Sequence, residues 1–143
     1  MRTDGGLHRR SGLAGPFLAL IAAQATHSAE EYLGRLYAVF PPARFVSGLV
    51  SDDLERGFVI ANVALVSLGL LCFLGPILRG WRAARPIAAW WAVLEGLNGT
   101  GHLGWSLLAL RYTPGVATAP LLLILALWLA ARLRTTGAAA TSG

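Results

Sequence analysis

Four long apolar runs, separated by short polar connections, organise this chain. They cover residues 12–32, 57–78, 86–110 and 116–131. Each run is close to the ~20 residues that an α-helix needs to cross ~30 Å of hydrocarbon. The pattern therefore predicts an all-α protein, a bundle of four transmembrane helices that run alternately up and down. We expect this domain to span residues 12–134, between disordered segments at 1–11 and 135–143.

Arginines are distributed unevenly between the two ends of the predicted helices. One end holds eight of them, Arg2, Arg9, Arg10, Arg79, Arg82, Arg85, Arg132 and Arg134. The other end holds four, Arg35, Arg44, Arg56 and Arg111, together with most of the acidic residues of the connections. Because basic residues are enriched in cytoplasmic loops, we expect both termini in the cytoplasm. The protein is then an integral, multi-pass protein of the cell membrane.

The first run also fits a second interpretation. Arg9-Arg10, a short apolar stretch and Ala23-Gln24-Ala25 together resemble a secretory signal with a small-residue cleavage site. Cleavage there would remove the first helix and leave three spans. The sequence leaves both interpretations open.

Composition agrees with a membrane protein. Hydrophobic residues make up 55% of the chain and charged residues only 13%, outside the usual range of soluble domains. The net charge of +5 is spread along the ends of apolar runs and not concentrated in one patch, so we expect no nucleic-acid partner. The single Cys72 excludes an internal disulfide.

Two polar clusters interrupt the apolar runs. In the first, His27 is followed by Glu30 and Glu31, three and four residues later, so on a helix the imidazole shares a face with either carboxylate. Gln24 lies one turn before. A competing interpretation takes Ser28 and Glu31 as a capping box, with one helix ending near Thr26 and an interfacial helix beginning at Ser28.

The second cluster lies in the third run, where Glu95, Asn98 and His102 occupy one stripe of a helix. At 1.5 Å per residue, His27 and His102 reach similar depths in the outer half of the membrane, and Asn62 of the second run reaches it from the opposite end. Taken singly, each residue could serve only helix packing. Together they predict one intramembrane site.

The predicted site divides into three roles. Its expected catalytic residues are His27, Glu30, Glu31, Glu95 and His102. Its expected metal ligands are His27, Glu30, Glu31 and His102. Supporting side chains are expected to be Gln24, Asn62 and Asn98.

These residues resemble the pattern of the HXXEE family of small predicted membrane proteins. The motif stands here as His27-Ser-Ala-Glu30-Glu31, followed by Phe40-Pro41, by Asn98 with His102, and by Arg111-Tyr-Thr-Pro-Gly115. The resemblance covers roughly residues 13–125 and implies that His27, Glu30, Glu31, Asn98 and His102 are signature positions, without implying a reaction. The Pro114-Gly115 pair also predicts a type II turn between the last two helices.

Several functions fit the predicted site. One is a metal-dependent membrane enzyme that binds Zn, Fe or Mn and acts on a lipid-like substrate. Another is an acid/base enzyme without metal, so that the reaction is hydrolase- or isomerase-like in either case. A third is a proton, ion or small-ligand pathway in a transporter-like or accessory subunit. The expected partner is a membrane lipid or hydrophobic small molecule, and association into a homo-oligomer stays open.

Overall fold

The computed structural model describes residues 5–141 and, of these, the side chains of residues 12–135. This part of the chain is helical and contains no strand, which confirms the all-α prediction. The helices are α1 (Gly5–Leu33), α2 (Leu36–Val39), α3 (Pro41–Val50), α4 (Leu54–Cys72), α5 (Ala84–Ala109) and α6 (Ala119–Thr141). A π-helical turn at Phe73–Ile77, which contains Pro76, continues α4.

The four long helices coincide with the four predicted runs, while α2 and α3 were not predicted. Helix α1 continues without a break to Leu33, so the capping-box interpretation is wrong. Ser28 lies within α1, five residues before its end, and its hydroxyl donates to Asn62 Oδ1 at 2.6 Å instead of capping a helix. The predicted disordered segments, 1–11 and 135–143, lie outside the described side chains except for Thr135, and stay predictions.

Contacts along the helices define their relative directions. Helices α1 and α5 run parallel, because Phe17 packs edge-on against Trp91 and, farther along both helices, Asn98 donates to Gln24. Helix α6 runs antiparallel to α5, since Arg85 near the start of α5 donates to the Leu133 carbonyl late in α6.

Helix α4 runs antiparallel to α1, which completes the alternation of the long helices. Ser28 of α1 meets Asn62 early in α4, whereas Ile21, two turns earlier in α1, lies against Gly69 two turns later in α4.

An apolar core fills one half of this bundle. It is built around fully buried side chains of three helices, Phe17, Leu20, Trp91, Leu122 and Leu129.

 All five are at most 1% exposed. Burial of this apolar surface stabilises the packing of α1, α5 and α6. The other half of the bundle is different, because its buried side chains are mainly polar.

Helices α2 and α3 cover that polar half. Phe40 is the N-cap of α3, and Pro41 and Pro42 occupy its first turn, where the missing N–H groups cost no hydrogen bond. The Phe40 ring stacks on Trp105 of α5 with ring centroids 4.6 Å apart. Helix α3 also approaches α4 closely, because a Cβ on Gly57 would lie 2.1 Å from the Ser47 carbonyl oxygen.

The outer surface of the long helices is largely apolar. Exposed large side chains include Leu18 of α1, Ile60 and Leu71 of α4, Leu97 of α5 and Ile124 of α6. Within the described residues, the segment Leu54–Ile77 is the one helix long and apolar enough to span a membrane by length and composition. The four predicted spans are therefore not confirmed by this criterion.

Candidate metal centre

Two imidazoles and one carboxylate meet where α1 passes α5. His27 and Glu31 lie one turn apart in α1, and His102 lies in α5. Glu31 Oε1 is 3.4 Å from His27 Nε2 and 2.9 Å from His102 Nε2. The two rings are nearly perpendicular, with centroids 4.7 Å apart. All three residues are buried, so the predicted meeting of His27 and His102 is confirmed.

A backbone carbonyl fixes the orientation of His102. Its Nδ1 lies 2.7 Å from the carbonyl oxygen of Pro114, in the connection between α5 and α6. A carbonyl oxygen only accepts hydrogen bonds, so Nδ1 carries the proton. In the neutral imidazole, Nε2 then presents its lone pair to Glu31.

A chain of two hydrogen bonds fixes His27 in the same way. Its Nδ1 lies 2.7 Å from Thr118 Oγ1, and that hydroxyl donates to Glu30 Oε2 at 2.6 Å. Because the hydroxyl has a single proton, it accepts from His27, and Nδ1 carries the proton. The Nε2 atom of His27 is buried without a hydrogen-bond partner.

This geometry requires a positive charge in the centre. With Nδ1 protonated on both rings, the lone pairs of two Nε2 atoms and one carboxylate oxygen lie close together. One ligand atom from each of the three residues lies within 4.8 Å of the others. A cation or an additional proton relieves the repulsion. Imidazoles whose second nitrogen donates to a carbonyl or hydroxyl oxygen are the usual arrangement around a metal ion.

Glu30 does not face this centre, although the sequence predicted it as a ligand. Its carboxylate accepts hydrogen bonds from the backbone N–H groups of Ala117 and Thr118, at 3.0 and 2.8 Å, just before α6 begins. It also accepts from the Tyr112 hydroxyl at 2.7 Å, which raises the pKa of Tyr112 because the carboxylate stabilises the protonated phenol. Glu30 therefore holds the connection that orients both imidazoles.

Gly115 closes that connection against the two rings. Its φ of +92° and the hydrogen bond from Val116 N–H to the Thr113 carbonyl confirm the predicted type II turn. A Cβ on Gly115 would lie 2.5 Å from His102 Nδ1 and 3.0 Å from His27 Cε1. Only glycine combines this backbone conformation with so close an approach.

A second polar group lies along the same helices. Gln24 donates to Ser28 at 3.0 Å, and Ser28 donates to Asn62. Asn98 Nδ2 is 3.4 Å from Gln24 Oε1 and 3.5 Å from Glu95 Oε2. The structure thus joins the three predicted supporting residues to one another. It places Glu95 in this group, fully buried and with Oε1 unpartnered, and not beside the imidazoles.

A cavity of about 250 Å³ opens onto the centre from the side of α3 and α4. Glu31 and His102 form part of its wall, and Ser47 of α3 forms another part. The sequence analysis missed Ser47 and Thr118, because both lie outside the polar clusters. The available signals were a lone serine in the apolar stretch at 45–50 and a threonine shortly after the Pro-Gly turn.

Comparison with known proteins gives a family and nothing more specific. A family model described as "Protein of unknown function with HXXEE motif" matches residues 18–129. No curated protein and no solved structure matches the chain. The match contains the motif in α1, the histidine of α5 and the connection that orients both imidazoles.

We predict that Gly115→Ala destabilises the protein and displaces the imidazoles. The substitution places a Cβ on a residue with positive φ and forces that atom against His102. The two effects together lower the free energy of unfolding by about 2–4 kcal/mol. The midpoint of thermal unfolding in detergent measures the effect. Gly104→Ala is the control, since a Cβ there meets nothing within 4 Å. An unchanged midpoint in Gly115→Ala would contradict the assigned packing.

Proposed function

Because the chain belongs to the HXXEE family of proteins of unknown function, we propose a role for the motif itself: His27, Glu31 and His102 bind one divalent transition metal inside a membrane-embedded helical bundle. The observation that carries the proposal is that both Nε2 atoms face Glu31 Oε1. Both Nδ1 atoms are hydrogen-bonded on the other side of the rings, to Thr118 and to the Pro114 carbonyl. The bound metal acts on a lipid-like substrate that reaches it through the adjacent cavity.

The donor set supports a transition metal. Two imidazoles and one carboxylate suit Zn, Fe or Mn, whereas Ca and Mg favour sites built from oxygen ligands. Three protein ligands leave coordination positions open, as in catalytic and not in structural zinc sites. The open side of the centre is the cavity wall formed by Glu31 and His102.

The distribution of side chains supports a membrane environment for all four long helices. Many buried positions in the polar half of the bundle are polar, namely Gln24, His27, Ser28, Glu31, Glu95 and His102, whereas the exposed faces of the long helices carry large apolar side chains. In water this arrangement would expose large apolar side chains on each of the long helices, and extended exposed apolar surface marks contact with a membrane or another protein. We therefore propose four spans with both termini in the cytoplasm, as the distribution of arginines indicates.

The reaction follows from the chemistry of the site. A bound metal would polarise a substrate oxygen or lower the pKa of a bound water. Glu31 and the two imidazoles would hold the metal, and the stacked Phe40 and Trp105 rings lie beside His102, each with its centroid 6.4 Å from the imidazole. These features support a metal-dependent hydrolase- or isomerase-like reaction.

One observation favours a second candidate, an acid/base enzyme without metal. The 2.9 Å contact between His102 Nε2 and Glu31 Oε1 is also the geometry of a shared proton. In that case His102 and Glu31 transfer protons to and from the substrate directly. Metal content separates the two candidates.

We predict about one equivalent of Zn, Fe or Mn per chain in protein purified without chelators, measured by elemental analysis. Glu31→Gln and His102→Gln should each lose most of the metal, because two ligands do not retain a divalent ion. Glu55→Gln is the matched control, since Glu55 is exposed and pairs with Tyr32. Wild-type protein that stays metal-free after incubation with each of the three ions would contradict the proposal.

We predict that Thr118→Val lowers metal affinity roughly 10- to 100-fold, because it removes the acceptor for His27 Nδ1–H. Thr118→Ser keeps the hydroxyl and should retain the affinity of the wild type. Competition with a chromophoric chelator measures both variants. Equal affinities of the Val and Ser variants would show that the hydroxyl does not position His27.

We predict that residues 52 and 82 lie on opposite sides of the membrane. In a Cys72→Ala background, a membrane-impermeant maleimide should label Asp52→Cys in intact cells, whereas Arg82→Cys should react only after the cells are permeabilised. Both positions are exposed, so access to the reagent is limited only by the bilayer. Labelling of both cysteines in intact cells would exclude the proposed topology.

A further inference from the structure

We propose that the cavity between α1, α3, α4 and α5 binds an apolar molecule whose polar end is a neutral oxygen, an alcohol or a carbonyl, and that Ser47 hydrogen-bonds to this oxygen. The inference rests on the proposed function in one respect, because the cavity opens onto the same Glu31 and His102. It adds the class of substrate and a residue that recognises it.

The cavity has one apolar and one polar wall. Phe40, Val46 and Phe58 contribute apolar surface from the side of α2, α3 and α4, whereas Glu31 and His102 contribute polar atoms from the opposite side. Its volume of about 250 Å³ lies just below the ~300–1,000 Å³ that is typical of sites for drug-sized ligands. It therefore accommodates a small molecule or the end of a longer one.

Ser47 lacks the partner that a buried hydroxyl needs. It is 1% exposed, and its Oγ makes no hydrogen bond in the described structure. Serine and threonine in helices usually donate to the carbonyl four residues earlier. Thr26 and Thr100 do so here, to Ala22 and Gly96, but Ser47 does not. Because an unpaired buried hydroxyl is costly, a ligand oxygen in the cavity is the natural partner.

The charges around the cavity favour a neutral polar end. Its wall contains the carboxylate of Glu31, and no arginine contributes to it among the described residues. In metal-free protein, an anionic head would meet Glu31 without a basic partner. A cationic head would compete with the two imidazoles that already face Glu31 Oε1. An alcohol or carbonyl oxygen avoids both costs and can face Ser47.

The apolar remainder of the molecule has a path out of the cavity. Pro42 and Val46 line the cavity and are also exposed, so the cavity reaches the surface along α3. The same helix exposes Phe45 and Leu49. An acyl or alkyl tail that leaves the cavity here continues along apolar surface into the proposed bilayer.

Binding of tritiated 1-decanol to the full-length protein, freed of metal with a chelator and placed in lipid nanodiscs, tests the inference, with empty nanodiscs correcting for partition into lipid. We expect saturable binding that unlabelled 1-decanol and decanal displace and that decanoate does not displace. Ser47→Ala should weaken binding roughly three- to tenfold, the loss of one hydrogen bond. Ala61→Phe, which fills the cavity, should abolish it, whereas Ala64→Phe, exposed on the same helix, should not.

Metal uptake is measured in parallel on separate samples of the same protein, so that the two proposals fail separately. Absence of saturable decanol binding to wild-type protein that does take up metal would overturn the inference and leave the metal site intact. Displacement by decanoate as effective as by decanal would overturn the neutral head group. Unchanged affinity in Ser47→Ala would overturn the role of Ser47. Wild-type protein that takes up no metal but binds decanol would overturn only the proposed function.

Discussion

The contact of one carboxylate oxygen with two imidazoles is the interaction on which the rest of this structure depends. Glu31 Oε1 joins α1 to α5 through His27 and His102, and all three side chains are buried. Burying a carboxylate costs several kcal/mol unless a positive charge and well-oriented hydrogen bonds compensate for it. The surroundings provide the orientation: each imidazole donates from Nδ1, one to the Pro114 carbonyl and the other to Thr118. These hydrogen bonds do not supply the compensating positive charge.

The connection between α5 and α6 fixes the orientation of both histidine rings. Its Thr-Pro-Gly turn brings the Pro114 carbonyl to one ring and the Cα of Gly115 to both, and Glu30 holds it through two backbone N–H groups and the Thr118 hydroxyl. The two adjacent glutamates of the motif therefore have different tasks. Glu31 faces the centre, and Glu30 fixes the segment that orients the ligands. Such indirect contacts commonly set the tautomer and basicity of metal-bound imidazoles.

The periodicity of apolar residues was sufficient to predict the four long helices, and helical spacing with depth was sufficient to predict that His27 and His102 meet. Which of Glu30 and Glu31 faces the imidazoles could not be predicted in this way. Residues three and four positions from His27 share its face equally well, and a contact with Thr118, far away in the sequence, decides between them. Helices α2 and α3, and with them Ser47, were missed because they are only 4 and 10 residues long and lie in a segment that the pattern predicted as a connection between two apolar runs.

The most direct test of the central claim is X-ray absorption spectroscopy at the metal edge of metal-loaded protein. Our account predicts a first shell of nitrogen and oxygen atoms that includes two imidazoles, with one imidazole fewer in His102→Gln reconstituted at high metal concentration. A shell without imidazole scattering, or the same number of imidazoles in wild-type protein and in His102→Gln, would contradict it.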